Sequence, residues 1–476
     1  MSNPTSLRAP GGVLLVACYE LGHQPLSLAS PLATLRGAGF EPRAVDTSVE
    51  TLADETLADA ALIALSAPMH TALRLGAQVA ARARQLNPAA VIVFYGLYAS
   101  LNGDYLLREL ADAVIGGEYE QALLALAEAL AGGADLTGLA QAGVRTRAAT
   151  AAPVLQRLPF SLPARDTLPA QSHYAHLVRG DEVVPAGYVE ASRGCLHTCL
   201  HCPITPIYGG RFFVVPRAVV LEDIRAQVAA GVGHITFGDP DFFNGPGHSL
   251  AIVRALHAEF PTVTFDATIK VEHILERREL IAELGALGCA FIVSAVESLS
   301  PRVLAHLAKG HTREDVVTAL AIAEAAGVPL RPTFVAFTPW TTAEDYLDLL
   351  DFVAEYDLIE HVDPVQYAIR LLVPPGSALL GAPDAAEWLG PLDEAAFSYT
   401  WAHPDPRMDD LQREMMTLVE EAASVNQPMA ATFAAVVALA GERLGRRAAA
   451  GVGLRRRGVA ARRSRPIPHL TEAWFC

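Results

Sequence analysis

The sequence predicts an α/β protein: an N-terminal doubly wound, Rossmann-like sheet, then a partial (β/α)6 barrel of TIM type, then a helical C-terminal region. Three observations predict it. Residues 12 to about 130 alternate short apolar runs with alanine- and leucine-rich stretches. Residues 131–180 interrupt that rhythm with Gly132-Gly133, Pro153, Pro159, Pro163 and Pro169. Residues 183–377 resume it in six βα units. Strands that alternate with helices favour a parallel sheet covered on both faces.

In chain order, strands are expected at 13–17, 42–45, 61–66, 90–95 and 113–115, with helices at 73–86 and 121–130. In such sheets ligands lie beyond the strand carboxyl ends. Those ends carry residues 18–24, 66–70, 96–100 and Gly116-Gly117-Glu118. The Pro- and Gly-punctuated stretch reads as a linker with a short hairpin between 143–147 and 153–157. Barrel strands are expected at 187–191, 234–237, 263–267, 290–296, 329–336 and 364–372, with helices at 219–230, 249–259, 277–287 and 343–355. The domain division is 1–150, linker 151–182, barrel 183–377, and a helical region 378–476 ending in Cys476.

Composition narrows the function classes. Hydrophobic residues make up 51% and charged residues 18%, which excludes a disordered chain. A net charge of −16 argues against nucleic-acid or anionic-membrane partners. No apolar run approaches the roughly 18 residues of a membrane span. The start Met1-Ser2-Asn3-Pro4 lacks a basic-then-apolar leader, so a cytoplasmic location is expected. Six cysteines in 476 residues make no disulfide scaffold.

The sharpest motif is Ser192-Arg193-Gly194-Cys195-Leu196-His197-Thr198-Cys199-Leu200-His201-Cys202-Pro203, a Cys-x3-Cys-x2-Cys spacing at the end of an expected strand. Three close thiolates hold one soft metal centre. With His197 or His201 as a fourth ligand, the centre is a structural zinc. With three thiolates alone, a [4Fe–4S] cluster keeps one iron open to a small ligand.

This motif resembles the cluster loop of the radical S-adenosylmethionine (SAM) superfamily. The resemblance covers about residues 183–377 and continues in order through Gly238-Asp239-Pro240, Ser294-Ala295-Val296-Glu297-Ser298, Val303-Leu304, Lys309-Gly310-His311-Thr312 and the segment 332–340. It implies that Cys195, Cys199 and Cys202 ligate the cluster and that SAM chelates the open iron. Gly238 and Asp239 then stand where the family receives the SAM amino group, and Ser294 and Glu297 near the ribose. Reductive cleavage of SAM to methionine and a 5′-deoxyadenosyl radical follows, with the electron drawn from an external flavodoxin- or ferredoxin-type donor. Two positions depart from the family pattern: His201 replaces the usual aromatic residue near the adenine, and Asp239 replaces a glutamate. Lys270, Glu272, His273, Gln366, Tyr367 and Arg370 sit at strand ends that face a barrel's active site; each reads either as a site residue or as an ion-pair or capping residue. Cys18 and Cys289 read as small buried hydrophobes.

The first domain resembles the cobalamin-binding domain of B12-dependent radical SAM proteins, through its strand order, Gly22-His23-Gln24-Pro25, Gly116-Gly117-Glu118 and the linker Leu162-Pro163-Ala164-Arg165-Asp166. The Asp-x-His-x-x-Gly motif that ligates cobalt in many cobalamin proteins is absent, and many radical SAM relatives without it bind cobalamin. The resemblance therefore leaves two alternatives, cobalamin binding or a domain that has lost the cofactor or takes substrate. Methyl transfer is one reaction it implies; the substrate stays open. The alternative from another class is a zinc- or iron–sulfur-bearing sensor without turnover.

Nine arginines between Arg443 and Arg465 crowd the tail, which reads as a solvated helix and loop or as a local anion or partner site. Cys476, after Trp474-Phe475, offers a thiol at the chain's end. The tail resembles that of the CUAEP/CCAEP group, which reads Cys-selenocysteine-Ala-Glu-Pro or Cys-Cys-Ala-Glu-Pro, but the sequence shows a single Cys and neither the second chalcogen residue nor Ala-Glu-Pro, so a natural end in cysteine is the alternative. A UGA codon directly after the Cys476 codon is expected if a selenocysteine was read as stop, and another stop codon there contradicts that.

Overall fold

The computed structural model describes residues 6–134, 136–445 and 467–472. The first sheet contains β1 (Val13–Ala17), β2 (Arg43–Asp46), β3 (Leu62–Ser66), β4 (Val91–Tyr95), β5 (Ala113–Ile115) and β6 (Val144–Thr146), in the order β2-β1-β3-β4-β5-β6. The first five are parallel and β6 runs antiparallel to β5. Every residue of β1 and β3 is buried, as strands covered on both faces must be. Leu14, Val16, Ile63 and Leu65 pack on one face and Val13, Leu15, Leu62 and Ala64 on the other, the period-two split of a pleated strand. The strand order reverses between β1 and β3, which places the sheet's ligand crevice there.

The hairpin expected between 143–147 and 153–157 does not form. Both segments pair with the β5 end instead: β6 takes the free edge of β5, and Val154 bridges to Gly117. An unpaired edge next to the segment outcompetes a local turn.

The rest of the chain supplies β7 (His176–Arg179), β8 (Glu182–Val189), β9 (Ser192–Gly194), β10 (Phe212–Val214), β11 (His234–Phe237), β12 (Thr264–Thr268), β13 (Cys289–Glu297), β14 (Leu330–Phe334), β15 (Leu389–Asp393), β16 (Ser398–Trp401) and β17 (His469–Leu470). Seven of them form one sheet in the order β14-β13-β12-β11-β8-β7-β17. Within it β8, β11, β12, β13 and β14 are parallel, the open half-barrel. β7 folds back on β8 across a two-residue Gly180-Asp181 turn, in which Gly180 adopts φ 63°, as tight hairpins require. β17 pairs with β7 at the outer edge.

The sixth barrel strand expected at 364–372 shrinks to a single bridge between Phe337 and Arg370. Pro364–Tyr367 is a 3-10 turn. Pro364 has no N–H to give a ladder, and the Gln366 side chain, not its backbone, accepts from Phe334 N at 2.8 Å.

The C-terminal region is two long helices, Pro406–Ser424 and Met429–Leu444, plus the β15–β16 hairpin. Met408, Leu411, Met415, Phe433 and Val436 join the core beneath the barrel. Arg443 pairs with Glu414 at 2.7 Å with both side chains partly exposed. The other tail arginines and Cys476 lie outside the described residues. Among the described residues no helix is long and apolar enough to cross a membrane.

Candidate active site

The three-cysteine loop leaves the carboxyl end of the first parallel barrel strand, β8. Its base is a short antiparallel pair, β9 with β10, in which Gly194 opposes Phe212. Gly194 has φ 78°, and a Cβ there would lie 2.5 Å from both the Tyr208 ring and Arg211 O; only glycine fits so close an approach. Cys195, Cys199 and Cys202 are free thiols, the first two buried and the third half-buried. Asn244 ties the loop down: its Oδ1 accepts from Leu196 N at 3.2 Å and faces Cys195 Sγ at 3.8 Å. Burial pushes the Cys202 thiol up to about 11, reinforced by the neighbouring Cys199 and Cys195 and opposed by Lys309. The three sulfurs thus share one electrostatic site with one ammonium.

His201, Glu297 and Lys309 form a buried triad beside it. Glu297 Oε1 lies 3.1 Å from His201 Nε2 and 3.3 Å from Lys309 Nζ. Burial alone would raise the Glu297 carboxyl, but Lys309 and then His201 outweigh it and hold it down at about 2. A second cluster joins the loop to the next two strand ends. Asp241 Oδ2 lies 3.1 Å from His197 Nε2 and 2.8 Å from His273 Nδ1. These three side chains are close enough to hold a cation, yet Lys270 Nζ stands 3.4 Å from His197 Nδ1. An ammonium only donates, so His197 accepts at Nδ1 and donates from Nε2 to Asp241. Hydrogen bonds therefore account for His197 and Asp241, while His273 Nδ1 approaches Asp241 as an ion-pair contact.

The site residues named from sequence fall into two groups. His201, Glu297 and the cysteines converge, whereas Ser294 lies fully buried on the face of β13 that carries Ile292 and Val296, with no partner for its Oγ among the described residues. Asp239 is turned inward: Oδ2 accepts from Ala191 N at 2.8 Å and Oδ1 from Ser192 Oγ at 2.5 Å, so it fixes the root of the loop. Burial pushes its carboxyl up to about 7 against those hydrogen bonds. Gly238 lets the Tyr188 ring pass, which a Cβ would overlap. Lys270 and His273 join the site, and Glu272 pairs with Lys270. Gln366 completes the barrel edge. Arg370 pairs with Asp409 at 2.6 Å and stacks on Trp401, and Tyr367 is buried in the core. Cys18 and Cys289 are buried, and burial pushes both thiols up.

The residues fit the groups the motif implies. Three free thiols suit an iron–sulfur cluster that keeps one iron open. Beside them His201 Nδ1 and Asn244 Nδ2 are buried without a hydrogen-bond partner among the described residues. Buried polar atoms are nearly always paired, so these two orphans beside the thiols suit a polar ligand such as SAM.

The same loop meets the first domain. Arg193, two residues before Cys195, contacts Glu118 at 3.1 Å, Glu120 at 2.7 Å and Glu190 at 2.7 Å. Tyr208, after Cys202, donates to the other oxygen of Glu118 at 3.0 Å. A cavity of about 350 Å³ lies between the domains, lined by Ser100, Gly116, Arg145 and Pro153 from one side and Pro206 and Ile207 from the other. Glycine at the β5 end lets neighbours pack directly on the backbone: Ser100 and Pro153 close on Gly116, and Val154 covers Gly117. His70 Nε2 is taken by Ala396 O at 2.7 Å. His23 packs on Tyr188, and burial pushes its pKa down to about 4. Sequence reading named Glu118 and Arg193 only as parts of motifs; nothing local signals that they meet across 75 residues.

Comparison with known proteins matches this architecture. The family model of the radical SAM superfamily matches residues 189–353, and that of the B12 binding domain residues 12–127. An uncharacterized methyltransferase of Pyrococcus horikoshii is 25% identical over 304 residues, covering 62% of this chain and 64% of that protein. The hopanoid C-3 methylase of Methylococcus capsulatus is 24% identical over 326 residues, covering 67% and 62%. The chain thus spans less than two thirds of either curated relative. Among solved structures, the cobalamin-dependent SAM radical enzyme OxsB with aqua-cobalamin bound superposes with TM-score 0.68 at 17% identity, covering 86% of this chain and 67% of that one. TsrM, a radical SAM methyltransferase from Kitasatospora setae, gives 0.59 at 19%, covering 72% and 71%. Fold and site define a radical SAM protein. More particularly, the chain carries a radical SAM domain at residues 189–353 and, N-terminal to it, a B12-binding domain at residues 12–127.

Proposed function

We propose that the protein is a cobalamin-dependent radical SAM methyltransferase. The observation that carries the reading is the three-thiol loop at the β8 end, with the unpartnered His201 Nδ1 and Asn244 Nδ2 beside it and the strand ends of a B12-binding domain opposite. When bound, the cluster supplies the electron that cleaves SAM, and cobalamin supplies a methyl carrier.

In this reading Cys195, Cys199 and Cys202 hold the cluster. Lys309 offsets the negative charge of the thiolates. Glu297 and His201 orient each other and line the SAM pocket, while Gly238 leaves room beside it and Asp239 anchors the loop root. Asp241 fixes His197 and His273 against the loop, and the packed barrel keeps water from the reacting centre. The electron comes from an external flavodoxin- or ferredoxin-type donor, the substrate is a separate molecule, and the enzyme works in the cytoplasm. The division at 150, 182 and 377 is part of the proposal, and a thiol role for Cys476 stays with the tail hypothesis.

The test is anaerobic reconstitution with cobalamin and methyl-labelled SAM. Label recovered on cobalamin supports the reading. A protein that cleaves SAM but takes up no cobalamin replaces methyl transfer with another radical reaction.

A further inference from the structure

We propose that Glu118 is a positioning residue that couples the cluster loop to the cobalamin crevice, so that loading one site tightens the other. The inference rests on the cobalamin reading above.

Glu118 directly follows Gly116-Gly117 at the β5 carboxyl end, where the first domain's sheet presents its ligand face. Its side chain is 2% exposed. Each carboxylate oxygen is held by a different arm of the cluster loop: Oε2 accepts from Arg193, before the first cysteine, and Oε1 from Tyr208 OH, after the last. Both donors are buried as well. One carboxylate of the first domain is therefore gripped by both ends of the loop that carries the thiols. The neighbouring cavity is built the same way, with Gly116 on one wall and Pro206 and Ile207, next to Tyr208, on the other. Ordering the loop around a cluster fixes Arg193 and Tyr208, which fixes Glu118 and with it the backbone at Gly116-Gly117. A ligand reaching the cavity walled by Gly116, Pro206 and Ile207 then meets a preset surface. Linkage makes the effect reciprocal.

The experiment is a spectral titration with hydroxocobalamin on full-length protein, with and without reconstituted cluster. For the natural sequence the account expects tighter binding in the cluster-loaded form, by about 5-fold or more, the usual floor for coupled sites. In Glu118→Gln the ratio of the two Kd values should fall towards one while iron per chain is retained. Tyr208→Phe, which removes one donor and keeps the ring, should give an intermediate ratio and serves if the first variant does not fold. Equal Kd values with and without cluster in the natural sequence overturn the inference. So does a variant ratio equal to the natural one. No cobalamin binding by the natural sequence overturns the cobalamin reading itself, which is a separate failure.

Discussion

Lys309 Nζ stands 3.3 Å from Glu297 Oε1, with both side chains nearly buried and both facing the cysteine loop. Glu297 ends β13 in the left-handed region, at φ 65°, a conformation that a non-glycine residue keeps only where its surroundings hold it. The pair is what holds it: the carboxylate is fixed by one ammonium and one imidazole, and the ammonium in turn lies against the thiols. Removing one partner of a buried pair leaves the other uncompensated and costs about 3–5 kcal/mol. Glu297→Gln should destabilise the protein by an amount near the low end of that range, since His201 and the amide keep one contact. Urea unfolding measures it.

The same carboxyl gives a pH dependence. Its pKa falls from the ordinary 4.5 to about 2 on folding, so between those values the unfolded chain binds more protons and stability rises with pH. The contribution is complete above about pH 4.5 and is lost as pH falls towards 2. The Glu297→Gln protein should show a flatter stability profile across that window. A profile parallel to the natural one contradicts the assignment.

Gly194 sits at the base of the loop, against Tyr208 and Arg211 O. Gly194→Ala forces a Cβ into the left-handed region, at about 1–2 kcal/mol for the backbone alone, and pushes it against Tyr208 and Arg211. Lower thermal stability and less iron per chain after reconstitution are expected. A variant with full iron content shows that the loop tolerates the shift.

The cysteines divide by role. Cys199→Ala should lose cluster and SAM cleavage together. Cys289→Ala, at a buried thiol on β13, should keep iron and lose stability only, by about 1 kcal/mol for a small cavity. Iron and sulfide analysis of both variants separates them.

Arg370 stacks 3.4 Å above the Trp401 ring and donates to Trp401 O and to Asp409. Arg370→Ala should lower stability by about 2 kcal/mol through these contacts and leave the iron content unchanged. Loss of iron would move Arg370 into the site.

Much of this was readable from sequence because it is local. The apolar runs of β1, β3 and β4 announce buried strands, and the Cys-x3-Cys-x2-Cys spacing announces its loop. What stayed hidden depends on partners far along the chain. β6 and Val154 settle on the β5 edge because that edge is free, a fact no window around residue 150 contains. The apolar stretch 364–372 reads as a strand, yet Gln366 answers Phe334 N with its side chain, so a turn replaces the ladder. Asp239 looks like a ligand-facing acid in its Gly-Asp-Pro context, and the fold instead turns it onto Ala191 and Ser192. The Lys270–His197–Asp241–His273 chain joins two strand ends to the loop and carries no spacing signature.

The most direct test of the central claim is made on protein purified and reconstituted without oxygen, with iron, sulfide and zinc counted and 5′-deoxyadenosine assayed after addition of SAM and dithionite. The account predicts about four irons per chain, as for one [4Fe–4S] site, and deoxyadenosine that disappears in Cys199→Ala. Zinc without iron, and no deoxyadenosine from the natural sequence, would contradict it and leave a metal-bearing binding protein in its place.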